Sequence, residues 1–251
     1  LVGGDMGDWW AAAQENIRQM EYNVTWQEQT YLPDVPAAYQ APNRASNLRT
    51  YFTADGLEII PRAWSEAGEV PPWRWGLGLA GQGQAEMLVQ DNCVEYTRQG
   101  VVERICNTES GLEQVFKLQQ ALSDTPGVAR IALRFSGNVS ARLALDGAAV
   151  EFVDAQGNLA LRYGPLSAKD AAGRSLAARL ELNESGLSIV VDAAGAVYPL
   201  NVETIILGLA DTWNWKVEGG TAEFEFGRAV STAGDVNGNG YSDVIVGAPR
   251  Y

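Results

Sequence analysis

The chain has 251 residues, 31 acidic against 18 basic, a formal net charge of −13 and no histidine. That length suffices for one large β domain or two ordinary ones, and the missing imidazole excludes Ser-His-Asp or Cys-His catalysis and any His-ligated metal within the chain. The acidic balance argues against binding nucleic acid through its phosphates, and no apolar run approaches the ~18 residues of a membrane helix.

In chain order, "DWWAAAQENIRQM" at 8–20 predicts a helix. Asp8 is placed to cap it, and Trp10, Ala13, Ile17 and Met20 recur on one face that would pack on a sheet. Tyr22, Val24 and Trp26 then alternate as in a strand, whereas 31–48, with three prolines and little periodicity, reads as an ordered surface loop. From about residue 49 the pattern is short strands punctuated by turns. "RTYFTADGLEIIPR" predicts a hairpin about Asp55-Gly56. Cys93 and Cys106 flank another: with Gln99-Gly100 as its two-residue turn, Arg98 faces Val101, Glu95 faces Arg104 and Cys93 faces Cys106. The cysteines then fall on a close, non-hydrogen-bonded pair suited to a disulfide, which would place the protein in an oxidising compartment. A hairpin about Asp146-Gly147 follows, "EFVDAQGNLALRYG" continues the meander, and "AARLELNESGLSIVVDAAGAVYPL" adds three more strands. With no second helix in the pattern, the expectation is an antiparallel β-sandwich or a similar layered fold. The pattern changes after Glu203, which puts a domain boundary near residue 204.

Several motifs carry little. Gly76, Gly78 and Gly81 spell G-x-G-x-x-G, but neither a preceding buried strand nor a following helix is predicted, so dinucleotide binding is not expected. Trp64, Trp73 and Trp75 could form a platform for sugars, although tryptophans of a β domain usually fill its core. Asn23, Asn138 and Asn183 lie in N-x-[ST] sequons that matter only in a eukaryotic secretory pathway. Carboxylate pairs such as Glu151 and Asp154 do not define a glycosidase site by spacing alone.

The informative stretch is "GDVNGNGYSDVIVGAP" at 234–249. Counted from Asp235, oxygen-bearing side chains fall at positions 1, 3, 5 and 9: Asp235, Asn237, Asn239 and Asp243. Tyr241 at position 7 offers its backbone carbonyl, and Gly240 permits the sharp turn. Ca²⁺ takes about six to eight oxygens at roughly 2.3–2.6 Å, and alternate residues of a tight loop point several inward together. An EF-hand is excluded, because its position 12 is Val246 and a strand follows instead of a helix. A hairpin turn alone explains Asn239-Gly240, but not Asp235, Asn237 and Asp243 at the remaining alternate positions.

"FGRAVSTAGDVNGNGYSDVIVGAP" resembles an FG-GAP repeat, the unit of integrin-α-type β-propellers. Phe226-Gly227 supply the FG element, Gly247-Ala248-Pro249 the GAP element, and the candidate loop lies between them. The region upstream looks like the amino-terminal segment that precedes such repeats in large secreted bacterial proteins, notably in "DAAGAVYPLNVE". The resemblance implies a mainly β protein. Its amino-terminal domain, 1–204, would be sandwich-like with one helix, and 205–251 would begin a propeller blade that stops partway through its first repeat. It also implies an extracellular, non-enzymatic role in adhesion or in binding a protein or glycan ligand, with structural Ca²⁺ held by Asp235, Asn237, Asn239, Tyr241 and Asp243. Family loops often have Asp where this chain has Asn239, so affinity is expected on the order of 10⁻⁴–10⁻³ M. The competing expectation is a secreted carbohydrate-active or other hydrolytic protein carrying the repeat as an accessory module.

Overall fold

The computed structural model describes residues 20–64, 70–81, 84–122, 125–183, 186–208, 225, 227–234 and 243–247. The chain divides into two compact units, Leu1–Asp211 and Thr212–Tyr251.

The first unit holds seventeen strands among the described residues. In chain order they are β1 (Thr25–Gln27), β2 (Ala38–Asn43), β3 (Leu48–Thr53), β4 (Gly56–Pro61), β5 (Trp75–Leu79), β6 (Glu86–Gln90), β7 (Cys93–Arg98), β8 (Val101–Thr108) and β9 (Gly111–Leu118). Then come β10 (Val128–Gly137), β11 (Ser140–Leu143), β12 (Val150–Val153), β13 (Leu159–Tyr163), β14 (Ser167–Lys169), β15 (Ala178–Asn183), β16 (Gly186–Asp192) and β17 (Leu200–Gly208). They form two antiparallel sheets, one ordered β1-β2-β3-β4-β5-β10-β16-β15 and the other β11-β12-β13-β17-β9-β8-β7-β6, with β14 also on β17.

Period-two alternation accounts for the core. Phe52, Ile59, Trp75, Leu77, Ile131 and Ile189 of the first sheet meet Tyr96, Ile105, Phe116, Phe152, Tyr163 and Ile206 of the second in one buried cluster. Trp75 packs against Phe152 at 4.9 Å between ring centroids, across the interface between the sheets. The arrangement is sandwich-like, as expected. A smaller cluster of Leu32, Ala38, Tyr51 and Ile60 forms on the outer face of the first sheet, beneath the segment carrying Tyr31 and Val35.

The Cys93 hairpin has the register read from its turn: Cys93↔Cys106, Glu95↔Arg104 and Arg98↔Val101. Cys93 and Cys106 are joined as a disulfide. In the β3–β4 hairpin, Thr53 faces Gly56, so the turn is Ala54-Asp55, one residue earlier than the Asp-Gly reading. The expected loop at 31–48 contains β2. Pro42 is tolerated there because β1 pairs only Ala38–Gln40, and the side of β2 where Pro42 lacks a donor has no ladder partner. The Pro42 carbonyl instead accepts Asn107 Nδ2 at 2.9 Å.

The helix expected over 8–20 lies outside the described residues except for Met20, which is 62% exposed rather than on a packing face. β17 runs past the boundary expected at 204 and is bonded to β9 from Leu200 to Ile206.

Candidate metal centre

The second unit contains a hairpin of β18 (Ala229–Gly234) and β19 (Asp243–Gly247). Val230 pairs with Val246 and Ser231 with Ile245, and the ladder shifts register between Thr232 and Gly234. β-branched residues, Val230 and Thr232 in β18 and Val244, Ile245 and Val246 in β19, favour the extended pairing. Val230, Val244 and Ile245 are all more than half exposed.

The hairpin gathers the parts of the repeat at its two ends. At the open end, the Gly227 N–H donates to the Gly247 carbonyl at 3.0 Å, so the glycines of the FG and GAP elements, twenty positions apart, meet. The Arg228 N–H donates to the Glu225 carbonyl at 3.1 Å, and their side chains form an ion pair. At the closed end, Gly234 pairs with Asp243. The eight residues 235–242 therefore leave and re-enter neighbouring strand ends.

Of the five expected metal ligands, Asp235, Asn237, Asn239 and Tyr241 lie outside the described residues, and Asp243 is placed by its backbone alone, as the first residue of β19. The donor set fits a hard cation in kind, with two carboxylates, two amide oxygens and a carbonyl, all oxygen, in a loop whose ends are fixed side by side. Water would complete the coordination of such a set. The hydrogen bond between Gly227 and Gly247 was not foreseen; the Gly spacing within the family resemblance is the signal that points to it.

The residues considered for other chemistry have structural partners. Trp75 is fully buried, while Trp73 and Trp64 are half-buried against the main and the smaller cluster, so they do not form an exposed platform. Glu151 pairs with Arg142 at 2.9 Å. Asp154 accepts the Gln156 and Asn158 N–H groups at 2.9 and 2.8 Å, closing the β12–β13 turn. Gly76 and Gly78 lie within β5, on the face opposite the core-facing Leu77 and Leu79. A Cβ on Gly78 would sit 2.4 Å from the Asp55 carbonyl oxygen, so close backbone approach explains a glycine there. No helix among the described residues is long and apolar enough to cross a membrane.

A search of curated proteins found none that match the chain. A model of the FG-GAP repeat matches residues 226–251, at the C-terminal end of the chain, which spans β18, β19 and the loop between them.

Proposed function

We propose that the chain is an extracellular, non-enzymatic protein of the adhesion or ligand-binding kind, whose C-terminal repeat holds a structural Ca²⁺. The observation that carries the reading is the pairing of Gly234 with Asp243 within the matched repeat, which fixes both ends of the oxygen-rich loop. A bound cation would neutralise Asp235 and Asp243 and hold in one shape a loop whose carboxylates otherwise repel. The disulfide between Cys93 and Cys106 supports an oxidising compartment, where such cross-links persist. FG-GAP repeats occur in extracellular proteins, and the proposed partner is an extracellular protein or glycan.

Calorimetric titration of the full chain with calcium chloride tests the metal site. The expected result is heat fitting a Kd on the order of 10⁻⁴–10⁻³ M, lost in Asp235→Ala/Asp243→Ala. At 10 mM Ca²⁺ a Kd of about 1 mM stabilises the repeat by roughly 1.4 kcal/mol. No heat up to 10 mM, or unchanged heat in the double variant, overturns the site.

A further inference from the structure

The core of the first unit contains a run of polar side chains where alternation calls for apolar ones. Arg98 Nη1 donates to Glu103 Oε2 at 3.1 Å. Gln114 Nε2 donates to Glu103 Oε1 at 2.6 Å, and the Tyr163 O–H donates to Gln114 Oε1 at 2.7 Å. Glu103 is 4% exposed, and Gln114 and Tyr163 are completely buried. The Gln114 amide is thus gripped at both ends, its oxygen under a phenol and its nitrogen on a carboxyl group. Burial raises the Glu103 carboxyl above the ordinary glutamate range, which suits it to pass protons. Burial also pushes the Tyr163 phenol well up, so it remains an O–H donor.

Thr204 completes the group. It is the direct cross-strand partner of Gln114 in the β17–β9 ladder. It is buried, and its Oγ1 has no hydrogen-bond partner among the described residues. Side chains directly opposed in an antiparallel ladder have Cβ atoms about 4.5–5.5 Å apart, so Thr204 and Gln114 start from neighbouring positions on the same buried face. β17 lies between β13 and β9, so Tyr163 reaches Gln114 across the strand that carries Thr204. A buried hydroxyl left unpaired is costly, and an adjacent, polarised acyl group offers it a bond.

We propose that Thr204 and Gln114 form an intramolecular ester, a covalent rung between β17 and β9. Thr204 Oγ1 attacks Gln114 Cδ, and the carbonyl oxygen takes up negative charge beneath the Tyr163 O–H, which acts as an oxyanion donor. The Glu103 carboxylate, paired with Arg98 and in contact with the amide nitrogen, takes the proton lost by Oγ1 and delivers it to that nitrogen. The C–N bond breaks and ammonia leaves. One C–O bond replaces one C–N bond, nothing is oxidised or reduced, and Glu103 ends as it began. Arg98 acts as a positioning residue that holds the second Glu103 oxygen. Protonation and dilution of ammonia at neutral pH drive the exchange forward, and exclusion of water from the core protects the ester.

Intact-mass spectrometry of the whole chain, reduced and denatured after several days folded at pH 7, tests this. The expected mass is about 17 Da below that of the sequence, the mass of ammonia lost when the acyl bond is exchanged. Asn237-Gly238 and Asn239-Gly240 also lose ammonia by succinimide formation, so the position decides. Tryptic peptides 105–117 and 180–216 should appear joined, and alkaline hydroxylamine should separate them. Thr204→Val should abolish both the deficit and the joined peptide, and Tyr163→Phe should slow their appearance. The full sequence mass, a deficit confined to the Asn-Gly pairs, or a deficit retained in Thr204→Val overturns the proposal.

Discussion

Arg98→Met isolates the contribution of one buried charge. The side chains of Arg98 and Glu103 are only 4% and 5% exposed, so the substitution strips Glu103 of its counter-ion where water cannot replace it. The guanidinium also lies 5.3 Å from the Tyr96 ring centroid, a contact that methionine retains only as packing. Breaking a buried pair costs about 3–5 kcal/mol. The structure sets a second bound. Glu103 can escape as the neutral acid, and keeping it protonated at pH 7, 2.5 pH units above its ordinary 4.5, costs about 3 kcal/mol at ~1.4 kcal/mol per unit. The expected loss at pH 7 is therefore about 3 kcal/mol. Burial raises the Glu103 carboxyl and Arg98 lowers it, so removing Arg98 raises the folded value further, and the resulting loss is absent below about 4.5 and grows as pH rises. At pH 5.5 the same escape costs only about 1.4 kcal/mol, so the loss caused by the substitution should be smaller than at pH 7. Urea unfolding of the full chain at both pH values measures this. A loss under 1 kcal/mol at pH 7, or an equal loss at pH 5.5, refutes the reasoning. Arg98→Met/Glu103→Gln should remove the pH dependence.

The Cys93–Cys106 bond closes a short loop, sequence separation 13, so replacing both cysteines with Ala should cost about 3 kcal/mol by the chain-entropy estimate. Unfolding midpoints of the variant and of the wild type with and without a thiol reductant check it, and the reduced wild type should match the variant. Gly56→Ala forces a side chain into φ +141° with its Cβ 2.1 Å from the Leu77 carbonyl oxygen, and should cost at least about 2 kcal/mol. Gly147→Ala, at φ +66° with open space around it, should cost only about 1 kcal/mol in the same urea assay.

The hairpins were legible because their information is local. Gln99-Gly100 and Asp146-Gly147 mark where the chain reverses, and a two-residue turn fixes every pair back to Cys93↔Cys106. The assignment of strands to sheets was not legible. β15 and β16 pair as neighbours, but β17, next in sequence, crosses to the other sheet and bonds with β9, some ninety residues earlier. Periodicity reports which side chains face inward and carries no address for a distant partner. β2 reads as loop for a different reason: proline counts against a strand, and only the start of β1 at Thr25, opposite Gln40, explains why Pro42 is harmless. For the candidate metal centre, ligand spacing was legible in the loop itself. The meeting of Gly227 with Gly247 required the pairing of β18 with β19.

The polar run in the core had a signal that propensity did not weigh. β8 presents Val101, Glu103, Ile105 and Asn107 on its buried side; β9 presents Leu112, Gln114, Phe116 and Leu118; β17 presents Leu200, Val202, Thr204 and Ile206. Each strand reads as a half-buried strand should, and each breaks its own alternation with polar residues. Asn107 is explained by structure alone, since its amide donates to the Tyr22 and Pro42 carbonyls and ties two segments to β8. Glu103 and Gln114 satisfy one another, with Arg98 and Tyr163 at the ends. Thr204 is different, because valine would fill the same volume without leaving a buried hydroxyl unpaired. Polar residues at inward positions of three adjacent strands cost stability together unless they are satisfied together. The unsatisfied member stands opposite an amide already polarised from both sides, and a bond between those two side chains resolves the violation that alternation alone exposes.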